Sequence, residues 1–227
     1  MIGCIAAMQE ECDALLEYCS DIELISTVPF KLYTAKHHGA KIIIGLSGIG
    51  KVSAAALTSF IILTYKPSHL INIGSAGGLV STLNIGDLVI ASMCAYHDFD
   101  LSAFGHEINF EKGWYVFKSD EALLKKIASI SFKPLHFGPM VSGDQFVSSS
   151  DVLIQMSQRF KGVIATDMES TAIAHVASMH QVPWIIARSI SDLVFKQDNH
   201  VVFNEYLKLA SKNSARFVSE CLKILAN

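Results

Sequence analysis

No two of the five cysteines stand in CxxC spacing, and an odd, dispersed set (Cys4, Cys12, Cys19, Cys94, Cys221) builds neither a disulfide framework nor a thiolate metal site. The chain therefore reads as reduced, metal-free and cytoplasmic. Charge of one sign is also missing: 18 basic against 21 acidic residues leave a net −3, spread along the chain, which excludes the basic face that nucleic acid requires. Despite 51% hydrophobic residues and a mean hydropathy of +0.37, no run of about 18 residues is free of charged, polar, Gly and Pro residues, so no membrane-spanning helix is expected. The opening stretch MIGCIAAMQEECD is too short and too acidic for a signal peptide. Linkers, repeats and low-complexity segments are absent. What is present in excess is apolar surface, which points to burial in a subunit interface.

The 227 residues alternate strand-like and helix-like patterns, an α/β chain of one domain over 1–227. Met1–Ala7 reads as a buried strand and Met8–Cys19 as an amphipathic helix, with Met8, Cys12, Leu15, Leu16 and Cys19 on its apolar face. Glu11 falls on that face and Glu10 does not. A carboxylate in a first turn also gains from the helix dipole, so Glu11 is either a site residue or a cap. Strands follow over Glu23–Val28, Phe30–His37 and Lys41–Leu46, then a helix over Lys51–Tyr65. Gly45 to Lys51 fits half of a phosphate loop, but Val52 stands where the magnesium-binding hydroxyl belongs, which argues against a nucleoside triphosphatase.

Leu70–Ile73 is a short strand leading into Gly74-Ser75-Ala76-Gly77-Gly78, either a ligand-facing loop with free amides or a tight turn. Asp87–Tyr96 is a strand; His97 to His106 is long, aromatic and irregular, a loop that covers a site or reaches a neighbour. A surface helix over Asp120–Ile130 and a strand over Leu135–Ser142 precede the loop Gly143–Val147, where Phe146 is a site residue or a core aromatic. A polar segment from Lys196 to His200 leads to a closing helix over Phe203–Leu225.

The stretch from Gly162 to Asp192 places charge where the pattern predicts burial. In a helix starting near Met168, Glu169 heads a stripe of Ala172, Ile173, Val176 and Ala177. The apolar strand Val182–Ile190 ends in Arg188, Ser189, Ser191 and Asp192, and alternation puts Arg188 and Asp192 on one face at the strand's carboxyl end, where open α/β sheets bind ligands. Such charges are either a structural ion pair or a site.

Taken together, Ala7-Met8-Gln9-Glu10-Glu11, Ser47-Gly48-Ile49-Gly50-Lys51-Val52, Gly74-Ser75-Ala76-Gly77-Gly78, Val141-Ser142-Gly143-Asp144, Asp167-Met168-Glu169-Ser170-Thr171-Ala172 and Arg188-Ser189-Ile190-Ser191-Asp192 resemble, in order, the bacterial 5′-methylthioadenosine/S-adenosylhomocysteine nucleosidases. The resemblance implies a three-layer nucleoside-phosphorylase-like fold with a central mixed sheet flanked by helices, a cytoplasmic homodimer, no cofactor and no metal. It implies hydrolysis of the N-glycosidic bond of a 5′-thioadenosine, with Asp192 as acid at adenine N7 and Glu11 activating water, helped by Ser75 and Arg188. Met168 and Glu169 would hold the ribose, Phe146 would stack on adenine, and the Val147 backbone would read its edge. Ala76, Gly77 and Ser191 join the site with their motifs. Met8, Ile49 and Phe203 would line the 5′ pocket, completed by Leu101, Phe104 and His106 of the neighbouring subunit. Against the family pattern, Asp167 replaces a usual glutamate, His106 a common tyrosine, and the segment from Asp192 to Phe203 is one residue longer. Three other readings share the fold: 6-amino-6-deoxyfutalosine hydrolase, nucleoside phosphorylase, and a silent adenosine-binding module. A phosphorylase needs cationic donors near the sugar, and the chain has only Arg159, Arg188 and Arg216.

Overall fold

The computed structural model describes every residue except Lys133, Gln197, Asp198 and Asn227, so part of the polar segment before the last helix lies outside the described residues. The first half runs β1 (Ile2–Ala6), α1 (Gln9–Leu16), β2 (Ser20–Ser26), β3 (Lys31–His37), β4 (Ala40–Leu46), α2 (Lys51–Tyr65) and β5 (His69–Gly78). The second half runs β6 (Leu88–Tyr96), β7 (Val116–Lys118), α3 (Glu121–Ala128), β8 (Leu135–Ser142), α4 (Ser150–Arg159), β9 (Ala165–Asp167), α5 (Ser170–Met179), β10 (Trp184–Leu193) and α6 (Asn199–Leu225).

The ten strands among the described residues join one mixed sheet, the expected central layer between helices. β1 lies parallel between β4 and β5, and β3 and β2 extend that edge as an antiparallel ribbon. Beyond β5 the sheet closes on itself. β5 pairs with β10, β10 with β6, β6 with β8, β8 with β9, and β9 returns to β5. Two apolar layers cover the faces. On one side Cys12 and Leu15 of α1, Ile127 of α3 and Phe217 and Leu222 of α6 pack on Ile44, Ile71 and Ile185. On the other, Leu57 and Ile61 of α2 and Ile173 and Ala177 of α5 pack on Ile43, Leu70 and Ile186. Fully burying each such aliphatic side chain contributes roughly 1.5–3 kcal/mol, which is why the period-3.6 stripes on these helices fix their orientation. α2 lies close because β4 carries Gly45, where any Cβ would sit 2.9 Å from Leu57 Cδ2.

Three elements were not foreseen: α4, β7 and β9. The two strands span three residues each, too short for an alternation to show. α4 is rich in polar residues and starts on a cap, with Ser149 Oγ accepting the Asp151 amide at 3.2 Å. The glycine-rich segment after Ile73 is the end of β5 rather than a loop, and Gly77 and Gly78 pair with Thr166 and Ala165 of β9. Two local expectations also change. Glu169 is the N-cap of α5 (φ −130°, ψ −36°), one residue before the helix, instead of lying inside it. Alternation along β10 fails after Ile190, where a bulge against β5 lets both Ile190 and Leu193 join the same apolar cluster. Asp192 therefore does not repeat the facing of Arg188, and reaches the strand end from another direction.

Candidate active site

The carboxyl ends of β1, β5, β9 and β10 converge on one cavity of about 360 Å³. Its wall contains Met8, Glu11, Ile49, Ser75, Ala76, Gly77, Phe146, Val147, Met168, Glu169, Arg188, Ser191, Asp192 and Phe203. Of these, the periodicity of the sequence nominates Glu11, Glu169, Arg188 and Asp192, and the family resemblance implies the others. Ala7, Gln145, Thr166, Asp167 and Val194 complete the lining. Of these Asp167 carries charge, and its position two residues before Glu169 was the available signal.

Glu11 sits at the turn from β1 into α1. Its Oε2 accepts the amides of Ala7 at 3.0 Å and Met8 at 3.1 Å, and its Oε1 accepts the Ser75 amide at 3.1 Å. It is thus both cap and cavity residue, since the Met8 amide opens the helix. Burial raises its pKa above the ordinary carboxylate value, opposed by Arg188 and by those three amides. A carboxylate whose charged form is disfavoured by burial is a stronger proton acceptor than a solvated one.

Arg188 is 1% exposed and held on all sides. Its Nε lies 2.9 Å from Asp167 Oδ2, its Nη2 3.3 Å from Glu169 Oε2, and its Nη1 donates to the Ser75 carbonyl at 3.3 Å. Gly74 makes room for it, because a Cβ there would overlap Nη1 and come within 2.7 Å of Glu11 Oε1. The structural ion pair and the site are therefore one and the same. Glu169 also accepts the Gly50 amide at 2.9 Å. Burial raises the Glu169 carboxyl to about 7, with Arg188 and the Gly50 amide lowering it and Asp167 and Glu11 adding to the rise. Three carboxylates around one guanidinium cannot all be ionised in a dry site without large repulsion, so the pocket retains a proton.

The amides at the start of α2 are occupied by carboxylates. Gly50 donates to Glu169 and Lys51 to Asp144 Oδ1 at 2.8 Å, while Lys51 Nζ pairs with Asp98 at 2.6 Å. This leaves no phosphate cradle in the Gly45–Lys51 segment, against the triphosphatase reading.

Asp192 is 2% exposed, and its Oδ1 accepts the Ser191 hydroxyl at 2.9 Å. Phe146, 39% exposed, meets the Phe203 ring edge-on at 5.7 Å, so it lines the cavity instead of the core. Leu101, Phe104 and His106 do not reach this chain's cavity. Phe104 is 79% exposed, and Leu101 and His106 border a separate depression where His106 packs on Trp114. Chemically, a half-enclosed cavity with apolar walls, two separately anchored carboxylates and a tethered arginine suits acid–base cleavage of a small polar molecule.

A model of the phosphorylase superfamily matches residues 1–223. The 5′-methylthioadenosine/S-adenosylhomocysteine nucleosidase of Staphylococcus haemolyticus is 37% identical over 229 residues, covering 99% of this chain and 100% of that protein. The crystal structure of the corresponding Neisseria meningitidis nucleosidase, in complex with methylthio-immucillin-A, superposes with a TM-score of 0.91 at 36% identity over 98% of each chain. Futalosine hydrolase of Helicobacter pylori follows the same fold, with a TM-score of 0.90 and 30% identity over 98% of this chain and 97% of that one. With full-length identity at this level, the chain belongs to the phosphorylase superfamily and, within it, to the 5′-methylthioadenosine/S-adenosylhomocysteine nucleosidases, which are N-glycosyl hydrolases.

Proposed function

We propose that the chain hydrolyses the N-glycosidic bonds of 5′-methylthioadenosine and S-adenosylhomocysteine to adenine and the 5-thioribose, serving methionine salvage in the cytoplasm as a single-domain homodimer. The observation that carries the mechanism is the pairing of Glu11, in the first turn of α1, and Asp192, at the end of β10, in one cavity, each buried. Adenine leaves poorly as an anion. Asp192 therefore protonates N7 as the glycosidic bond breaks, and positive charge builds on the ribose. Glu11 takes a proton from the attacking water, whose oxygen bonds to the anomeric carbon. Glu169 accepts hydrogen bonds from the ribose hydroxyls and, with Arg188, fixes the sugar. Phe146 stacks on adenine and the Val147 backbone reads its edge, while Met8, Ile49 and Phe203 take the 5′ group.

Homodimer formation is supported by exposed apolar side chains, among them Ile49, Val52, Phe104 and Trp114. In the dimer, Leu101, Phe104 and His106 close the 5′ pocket of the neighbouring subunit. A phosphorylase reading has less support. Arg188 is already committed to Asp167, Glu169 and Ser75, Arg159 faces Asp100, and Arg216 lies over the Phe132 ring. The futalosine-type reading is favoured by one observation, the likeness to the Helicobacter enzyme.

The test is adenine release from 5′-methylthioadenosine, S-adenosylhomocysteine and 6-amino-6-deoxyfutalosine, without and with phosphate. Turnover without phosphate is expected, reduced by roughly 10²–10⁴-fold in Asp192→Asn and in Glu11→Gln. Turnover that requires phosphate and yields a ribose 1-phosphate would overturn the proposal, and a strong preference for the futalosine would replace its substrate.

A further inference from the structure

Asp167 is the one cavity carboxylate for which this mechanism provides no task, yet the polar interior is built around it. Its Oδ1 accepts the Ser142 hydroxyl at 2.5 Å and the amides of Ser170 at 3.2 Å and Glu169 at 3.3 Å. Its Oδ2 takes the Ser170 hydroxyl and lies 2.9 Å from Arg188 Nε. Four donors from Ser142, Glu169 and Ser170 converge on its two oxygens, which fills the roughly four acceptor sites of a carboxylate, while the Arg188 Nε–H beside them is donated to Ser170 Oγ at 3.1 Å. Ser142 is itself fixed by the Thr171 amide at 2.9 Å. Glu169, by contrast, has two donors, one of them Arg188. The chain of constraint thus runs from Asp167 to Arg188 and from Arg188 to Glu169.

We propose that Asp167 is a positioning residue: it holds the Arg188 guanidinium edge and caps the start of α5, and through these two grips it sets where the Glu169 carboxylate meets the sugar. A carboxylate in this place leaves Arg188 only one N–H edge for Glu169. It also adds a negative charge that favours the proton on Glu169. The groups facing Glu169 are Arg188 and Asp192 from β10, Asp167 from β9 and Glu11 from α1. Lys51 and Asp144 lie behind the Gly50 amide. Removing the Asp167 charge therefore moves the titration of Glu169 to lower pH.

The inference rests on the proposed hydrolysis for its kinetic arm alone. Asp167→Asn, Asp167→Glu and Ser142→Ala are compared with the wild type by steady-state kinetics and by carbon-13 carboxyl NMR titration of the ligand-free protein. In Asp167→Asn, kcat/KM is expected to fall roughly ten- to hundredfold, with KM raised. The Glu169 titration should move down by about half a pH step or more. Asp167→Glu should recover part of both, and Ser142→Ala should shift both in the same direction by less. Should Asp167→Asn fail to fold, the other two variants decide. Unchanged KM and an unchanged Glu169 titration in the variants would overturn the inference, as would activity lost only in proportion to the folded fraction. A wild type that cleaves no nucleoside would refute the proposed function, while the NMR arm would still decide the role of Asp167.

Discussion

Raising the pH of the ligand-free protein from about 4.5 to about 7 should cost it stability that a Glu169→Gln variant does not lose. Burial lifts the Glu169 carboxyl from 4.5 to about 7, so the folded protein keeps a proton across a range where the unfolded chain has released it. The folded state then binds more protons than the unfolded one. The contribution is full below about 4.5, declines as pH rises through the window, and is gone above about 7. At about 1.4 kcal/mol per pH step, the shift from 4.5 to about 7 amounts to about 3.5 kcal/mol, an upper limit because Glu11 competes for the same charge balance with Arg188. Glutamine mimics the protonated carboxyl in shape and neutrality at every pH. Urea denaturation of both proteins at closely spaced pH values therefore isolates the term as a difference. A wild-type-minus-variant difference that stays flat between pH 4.5 and 7, or that grows with pH, would refute the reasoning.

Two further outcomes follow from the geometry. Gly74→Ala forces a methyl against Arg188 Nη1 and Glu11, and should cost roughly 1–3 kcal/mol in urea denaturation together with a loss of kcat; a variant with wild-type stability and turnover would mean that the pair yields freely. Phe146→Ala should raise KM by roughly tenfold or more through lost stacking, with a smaller change in kcat, and an unchanged KM in steady-state assays would contradict its role over the base.

Much of the site was legible because burial and charge conflict visibly in a sequence. Glu11, Glu169, Arg188 and Asp192 each interrupt an apolar pattern, and a two- or 3.6-residue period is enough to detect the interruption. Periodicity has no means of registering hydrogen bonds that override it. Asp167 accepts the Glu169 and Ser170 amides and so delays the start of α5 past Glu169. The bulge after Ile190 likewise depends on pairing with β5, a partner more than a hundred residues away in the chain. Closure of the sheet was illegible for the same reason, since β9 is three residues long and joins the ring only through β5 and β8.

That closure has a consequence for how the molecule can change over evolutionary time. Ser142, Ser75, Asp167, Arg188 and Asp192 all sit on neighbouring staves of the same closed ring, so none of them can shift without the others. The residues proposed to face the 5′ group stand elsewhere, on turns and helix ends such as Met8, Ile49 and Phe203. Two of the proposed catalytic groups reach across to that rim through backbone amides: Glu11, on α1, accepts the Met8 amide at 3.1 Å, and Glu169 accepts the Gly50 amide beside Ile49 at 2.9 Å. Changing a rim side chain leaves those amides in place, so a frame held in this way could accept a different 5′ group on the proposed chemistry without being rebuilt.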